Sequence, residues 1–258
     1  MLLAIDAGNT NIVFSVYDGD RRVGLWRIHT EATRTADEYA AFLLQLFTLA
    51  GISFKDITYT IISSVVPGAN TNLRGLCAAA FGCEARFVSA ADVSLKVNLN
   101  KPEELGADRI VNAMAVVTHY RYPAIVVDFG TATTFDVVDA QGAYCGGVIA
   151  PGVNLSMDAL HRAAAKLPKV SVARPESIIG RDTVGAMQSG IYWGYIAMTE
   201  GVIDRIAKEM KAKPFVIATG GLSGLFARDT DVFDEIDEEL TLRGLVAIHK
   251  QKKNVKAA

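Results

Sequence analysis

Short apolar runs broken by tight polar turns open the chain, and amphipathic stretches follow. LLAI stops at Asp6, NIVFSVY begins after a Gly-Asn-Thr turn, and RRVGLWRIH follows a second turn. Runs of this length, rich in Val, Ile, Phe and Tyr and bounded by Gly, Asn and Asp, predict strands at 2–7, 11–17 and 22–29. Apolar residues then recur at helical spacing over 36–49, which predicts a helix at 35–50. A strand at 58–64, a short helix at 69–81 and a strand at 85–89 complete the first half. Three meandering strands followed by alternating helix and strand make a mixed sheet flanked by helices. The second half repeats the plan: helix 107–120, strands 124–128, 133–139 and 143–149, helices 152–166 and 183–211, strand 215–219 and a closing helix at 240–251.

The repeat is also one of motif. IDAGNTN at 5–11 and VDFGTATT at 127–134 each run an apolar strand into Asp-x-Gly and small hydroxyl or amide residues, then return at once as a second strand. A single Asp-x-Gly is ordinarily a turn in which Asp bonds its own backbone and Gly supplies a positive φ. Two copies half a chain apart point instead to duplication of a phosphate-binding half. Such a tip exposes backbone N–H groups and Ser, Thr or Asn side chains that can cradle phosphate. Its carboxylate would repel phosphate unless a cation or a water lies between, so two facing hairpins can clamp a metal-bound polyphosphate.

Composition narrows the class. At 258 residues, half of them apolar, the chain has material for two domains. Their boundary is expected in the polar, Pro102-containing stretch 89–105, giving domains at 1–95 and 96–258. Three cysteines without metal spacing argue against a disulfide framework and suit a reducing, cytoplasmic setting. Lys and Arg total 26 against 28 Asp and Glu, which leaves no basic field for nucleic acid. No apolar run approaches the roughly 20 residues that span a bilayer, so no membrane partner is expected. His29, His119, His161 and His249 fall in no metal-ligand spacing, and Trp26 and Trp193 are expected to pack. The stretch 183–211 holds Gly185, Gly190, Gly194 and Gly201, each costing about 1 kcal/mol against Ala in an exposed helix, which leads to an expectation of close packing on several sides. Its stripe of Met187, Ile191, Tyr195, Met198 and Val202 suits a core helix or a subunit contact.

Neither the G-x4-G-K-[ST] nucleotide loop nor G-x-G-x-x-G is present, so nucleotide binding rests on the hairpins. A third glycine cluster, ATGGLSG at 218–224, would let backbone approach a ribose or adenine, and equally forms a tight strand-to-helix connection. Together these features resemble the actin, hexokinase and Hsp70 superfamily. The order D-x-G-N-T-N, G-A-D-R at 106–109 and D-F-G-T-A-T-T, with GGVIAPG at 146–152 and DTVGAMQSGIYWG at 182–194, is similar to the type III pantothenate kinases. The resemblance implies an α/β fold of two duplicated actin-like (ribonuclease H-like) domains and ATP-dependent phosphorylation of pantothenate, the first step of coenzyme A biosynthesis.

It also implies roles for residues. Asp6, Gly8, Asn9, Thr10 and Asn11 match the first phosphate loop, with Asp6 bearing on Mg²⁺, directly or through water. Thr131 matches an ATP contact in the second loop, and Asp128 a ligand for K⁺ or NH₄⁺. Gly106, Ala107, Asp108 and Arg109 match the pantothenate motif, with Asp108 as catalytic base, and Thr183 a further substrate contact. Relatives commonly place an aromatic residue where this chain has Leu99, which could pack against substrate but offers no hydroxyl. The resemblance further implies a homodimer with the substrate pocket completed across its interface.

The residues suit that chemistry. A loose transition state asks for positioning and charge neutralisation, and a carboxylate is a sufficient base. Asp108 is expected in the first turn of a helix that Gly106 opens, where the dipole and Arg109 favour its charged form. Arg109 offers a planar fork for a carboxylate or a phosphate. Two other readings use the same scaffold. One is a non-catalytic regulatory protein, which should have lost Asp6, Asp108 or Asp128; all three are intact. The other is a related sugar or small-alcohol kinase, which should lack GADR.

Overall fold

The computed structural model describes residues 1–164 and 166–257, with side chains at all of these but Asp92 and 252–257. It divides into two compact units: Met1–Leu95 with Asn100–Thr118 and Thr241 onward, and Lys96–Leu99 with His119–Leu240.

The first unit contains β1 (Leu2–Ala7), β2 (Asn11–Asp18), β3 (Arg21–His29), α1 (Ala36–Leu49), β4 (Tyr59–Ser64), α2 (Pro67–Leu76), β5 (Ala85–Phe87) and α3 (Ala107–His119). Its sheet runs β3-β2-β1-β4-β5, antiparallel among the first three strands and parallel from β1 through β4 to β5. β1 is central and Leu2–Ile5 are all buried, which is why its apolar run is continuous rather than alternating. Edge strand β3 is largely exposed or half-buried. Phe14, Tyr39, Leu43, Phe47 and Leu73 build the core. A capping box fixes the start of α1: the Thr35 hydroxyl accepts from the Glu38 N–H at 3.3 Å, and the Glu38 carboxylate accepts from the Thr35 N–H at 2.8 Å. The helix expected at 69–81 starts earlier, with Pro67 at its first position, and stops at Leu76. A π turn at Cys77–Phe81 follows, closed by left-handed Gly82 at φ 64°.

The second unit contains β6 (Ala124–Phe129), β7 (Ala132–Val138), β8 (Tyr144–Pro151), α4 (Val153–Ala163), α5 (Thr183–Met210), β9 (Phe215–Thr219), α6 (Ser223–Phe226) and β10 (Glu235–Ile236). The order β10-β9-β6-β7-β8 reproduces the first sheet: β6, β7 and β8 stand for β1, β2 and β3, and β9 and β10 for β4 and β5. Even the register shift between the second and third strands recurs, at Val16/Tyr17 and at Val137/Val138. The duplication read from two motifs is therefore a duplication of the whole sheet.

The long helix is a core helix on one face. Tyr192, Tyr195, Ile196 and Ile203 of α5 join Ile125, Val127, Phe135 and Phe226 in the second core. Within one chain two of its glycines have open space beside them: a Cβ at Gly190 or Gly194 would meet no atom within 4 Å. Those residues lie on the helix face turned away from the sheet.

A single cut between 95 and 96 does not describe the units. The last helix, α7 (Leu240–Ala257), belongs with the first unit, as α3 does. The reason is direct packing: Thr241 Oγ1 meets Asn112 Oδ1 at 2.8 Å, and any side chain at Gly244 would collide with the Val111 carbonyl. Among the described residues no helix is long and apolar enough to cross a membrane.

Candidate active site

The first hairpin tip is held from two sides. Gly8 N–H donates to the Asn11 carbonyl at 3.0 Å, Thr30 Oγ1 donates to the Gly8 carbonyl at 2.6 Å, and Thr30 N–H donates to Thr10 O at 2.9 Å. The tip is therefore pinned by the end of β3, with Asn9 and Thr10 exposed. Neither Gly8 nor Gly130 takes a positive φ, so the ordinary reason for glycine in such a turn does not apply. At Gly8 the reason is closeness: a Cβ would lie 3.3 Å from the Asn11 carbonyl.

Asp6 ends β1 and faces a second carboxylate. Its pKa is raised from 3.8 to about 7, first by burial and then by the charge of Asp108, while the Ser63 hydroxyl on β4, its register partner, pulls the other way. Asp108 lies in the first turn of α3, as expected from GADR. Burial raises its pKa as well, opposed by the Arg109 N–H, which donates to Oδ1 at 2.8 Å, and by the Arg109 guanidinium. Burial first, and the charge of Asp108 second, therefore favour a proton on Asp6. Gly106 makes the arrangement possible. A Cβ there would stand 2.6 Å from Asp108 Oδ1, so any side chain would displace the carboxylate.

The second hairpin is pressed by two glycine turns. Asp128 ends β6 with Thr134 of β7 and Thr219 of β9 as register partners, and Gly130 N–H donates to Ala132 O at 3.0 Å to close the tip before Thr131. Gly220 has φ 86°, and a Cβ there would lie 2.7 Å from both Asp128 Oδ1 and Phe129 O. A side chain at Gly152 would collide with the Thr131 carbonyl. The ATGG and IAPG segments thus brace this hairpin, and Gly220 is where backbone approaches the aspartate.

Two further residues matched by the resemblance lie in the second unit. Leu99 follows the segment whose Asn98 N–H donates to Tyr144 O at 2.8 Å, and its Cδ2 would sit 3.5 Å from a Cβ at Gly146. Thr183 is the first residue of α5, exposed beside the Asp182 cap that accepts from Gly185 N–H at 2.7 Å. Ser63 and Thr219 were missed. Their signal is a hydroxyl residue ending each apolar parallel strand, in TIISS and FVIAT, where it meets an aspartate across the ladder.

Among the described residues no three His, Cys, Asp or Glu side chains converge as a closed metal cage. The groups present suit ions shared with a ligand. The Asp6 carboxyl beside the first hairpin tip suits a hard divalent cation that takes one or two carboxylates and completes its shell with phosphate and water. Around Gly220 and Gly130, Asp128 Oδ1 and the Phe129 and Ala132 carbonyls gather oxygen atoms of the kind a larger monovalent cation takes.

Duplicated mixed sheets, each with a carboxylate near the end of its central strand at a phosphate-type hairpin, make an α/β protein of the actin-like ATPase fold. Solved structures agree on the fold. A protein described as a Baf family transcriptional activator from Campylobacter jejuni superposes with TM-score 0.64 at 19% identity, over 98% of this chain and 99% of that one. The activator of the 2-hydroxyisocaproyl-CoA dehydratase from Clostridium difficile, with bound ADPNP, gives 0.58 at 15% identity, over 100% and 97%. The type III pantothenate kinase family model matches residues 2–205. The type III pantothenate kinase of Paramagnetospirillum magneticum is 55% identical over 97% of each chain. This chain belongs to the type III pantothenate kinase family.

Proposed function

We infer that the chain transfers the γ-phosphoryl group of ATP to the primary hydroxyl of pantothenate, giving 4′-phosphopantothenate at the start of coenzyme A biosynthesis. The observation that carries the mechanism is the pairing of Asp108 with Asp6 beside Gly106, where a side chain would displace the Asp108 carboxylate. Asp108 is the base. The reaction passes through a loose transition state in which the hydroxyl loses its proton late, so a carboxylate needs to orient the hydroxyl more than to deprotonate it. Burial makes Asp108 a somewhat stronger base than an exposed aspartate, and the Arg109 N–H keeps it charged and aimed.

The first hairpin, with Gly8, Asn9, Thr10 and Asn11, takes ATP phosphates, and Thr131 makes a further phosphate contact from the second hairpin. Asp6, directly or through water, would hold Mg²⁺, which would neutralise charge on the phosphates when bound. Asp128 with its neighbouring carbonyl oxygens is the place for K⁺ or NH₄⁺. Gly106, Ala107 and Arg109 contact pantothenate, with Arg109 suited to its carboxylate. Leu99 and Thr183 are further contacts through the resemblance, Leu99 giving an apolar wall where relatives offer an aromatic one. The outward face of α5, bare at Gly190 and Gly194, suits close approach of a second copy in a homodimer. The reading places the protein in the cytoplasm with its ATP. The regulatory alternative calls for loss of Asp6, Asp108 or Asp128, and all three are present.

Phosphorus NMR of the reaction tests this assignment. With Mg·ATP, KCl and pantothenate, a phosphomonoester signal should grow in step with ADP. ATP hydrolysis without that signal, or phosphorylation of a sugar in preference to pantothenate, would overturn it.

A further inference from the structure

The sheet face that carries Asp128 holds a second carboxylate to which the kinase reading gives no role. Asp136 on β7 is fully buried. Its Oδ1 accepts from the Tyr144 hydroxyl at 2.9 Å, and its Oδ2 from Thr134 Oγ1 at a long 3.4 Å. Residues two apart on a strand share a face, and Thr134 is the register partner of Asp128 across β6 and β7. Asp128, Thr134 and Asp136 therefore stand in a row on one side of the sheet, and Tyr144 of β8 closes its far end.

Burying a carboxylate is costly, and well-packed apolar residues commonly stabilise a sheet as well or better, so packing alone does not account for Asp136. Proton counting gives it a role. A threonine hydroxyl has one proton to donate and two lone pairs to offer. Tyr144 donates to one Asp136 oxygen, and the other draws the Thr134 proton. The Thr134 oxygen then turns lone pairs, not a proton, towards its cross-strand neighbour, since directly opposed Cβ atoms lie about 5 Å apart. A 3.4 Å hydrogen bond is weak, so the effect is on orientation.

We propose that Asp136 is a positioning residue for monovalent-cation binding, which sets the Thr134 hydroxyl as an oxygen donor beside Asp128. The inference rests on the reading of Asp128 as the K⁺ or NH₄⁺ ligand. Asp136 is fully buried, and its effect on the ion is proposed to pass through Thr134.

The test uses the full-length protein as wild type, Asp128→Asn, Thr134→Val and Asp136→Asn. Melting temperature is followed against KCl, with choline chloride holding ionic strength constant, and turnover is followed against K⁺ to separate its KM from kcat. Asp136→Asn is an outer-shell change of the kind that typically costs about 10- to 100-fold in metal affinity, so it should need at least about ten times more K⁺ for half the wild-type response, and Thr134→Val, which removes the proposed oxygen donor itself, at least as much. The kcat of Asp136→Asn at saturating K⁺ should stay within a few fold of wild type. Lower melting at every K⁺ concentration with an unchanged K⁺ midpoint would mean a structural role only, and would sink the proposal while leaving Asp128 in place. A wild type indifferent to K⁺, or an Asp128→Asn variant with the wild-type response, would remove the Asp128 reading and the proposal with it. If Asp136→Asn does not fold, the half-buried Thr134→Val decides the outcome by the same criteria.

Discussion

Replacing Asp6 by Asn should stabilise the ligand-free protein at neutral pH, although it removes the carboxyl to which the proposed function assigns Mg²⁺. The folded-state pKa of Asp6 is raised from 3.8 to about 7. Between those values the folded chain holds a proton that the unfolded chain has released, so stability falls as pH rises through the window, and the loss is complete above the folded pKa. Three pKa units at about 1.36 kcal/mol each put the full cost near 4 kcal/mol, an upper figure because Asp6 keeps partial solvent contact. Asparagine carries no such cost. Urea unfolding of both proteins in EDTA without nucleotide, from pH 4.5 to 8.5, should show nearly equal midpoints at the acid end. The variant should then gain progressively, reaching a few kcal/mol by about pH 8. The variant should retain a weaker slope from Asp108, whose pKa burial also raises. Parallel curves across the range would refute the claim that Asp6 is held protonated by burial and by its neighbour.

Other perturbations probe the same groups. Calorimetric titration of Mg·ATP near pH 6.5, repeated in buffers of different ionisation enthalpy, should report release of a proton as Asp6 becomes charged; no net release would argue that Asp6 lies away from the metal and phosphates. Gly106→Ala would put its Cβ 2.6 Å from Asp108 Oδ1, so kcat should fall about 100-fold, as for an ångström-scale misplacement, with unfolding little changed. Gly220→Ala combines an unfavourable φ of 86° with collision against Asp128 Oδ1 and Phe129 O, and should cost roughly 1–3 kcal/mol in urea unfolding.

The strands were legible because two periodicities are clean: β1 and β6 are continuous apolar runs in central positions, and β2 and β7 start directly after Asp-x-Gly. β10 was not, since two residues in an acidic DEID run show no alternation and are held as a strand only by pairing with β9. The unit boundary was hidden for a different reason. Local pattern marks where elements end, but the return of α7 to α3 depends on the Thr241–Asn112 contact between residues far apart in sequence. At the site, the motif aspartates were visible because carboxylates stand out at strand ends. Ser63 and Thr219 read as ordinary ends of apolar strands, and only sheet register puts each beside its aspartate. Gly152 and Gly220 were visible as glycines, while the collisions that require them appear only in the folded chain.

Pantothenate-dependent ADP release by the purified protein with Mg·ATP and K⁺, compared with an Asp108→Asn variant that folds and binds ATP normally, tests the central claim most directly. The account predicts turnover that needs pantothenate and falls in the variant by about 100-fold or more, the scale of a lost general base. Equal pantothenate-dependent rates in the two proteins would contradict the role given to Asp108, and ADP release indifferent to pantothenate would contradict the kinase reading itself.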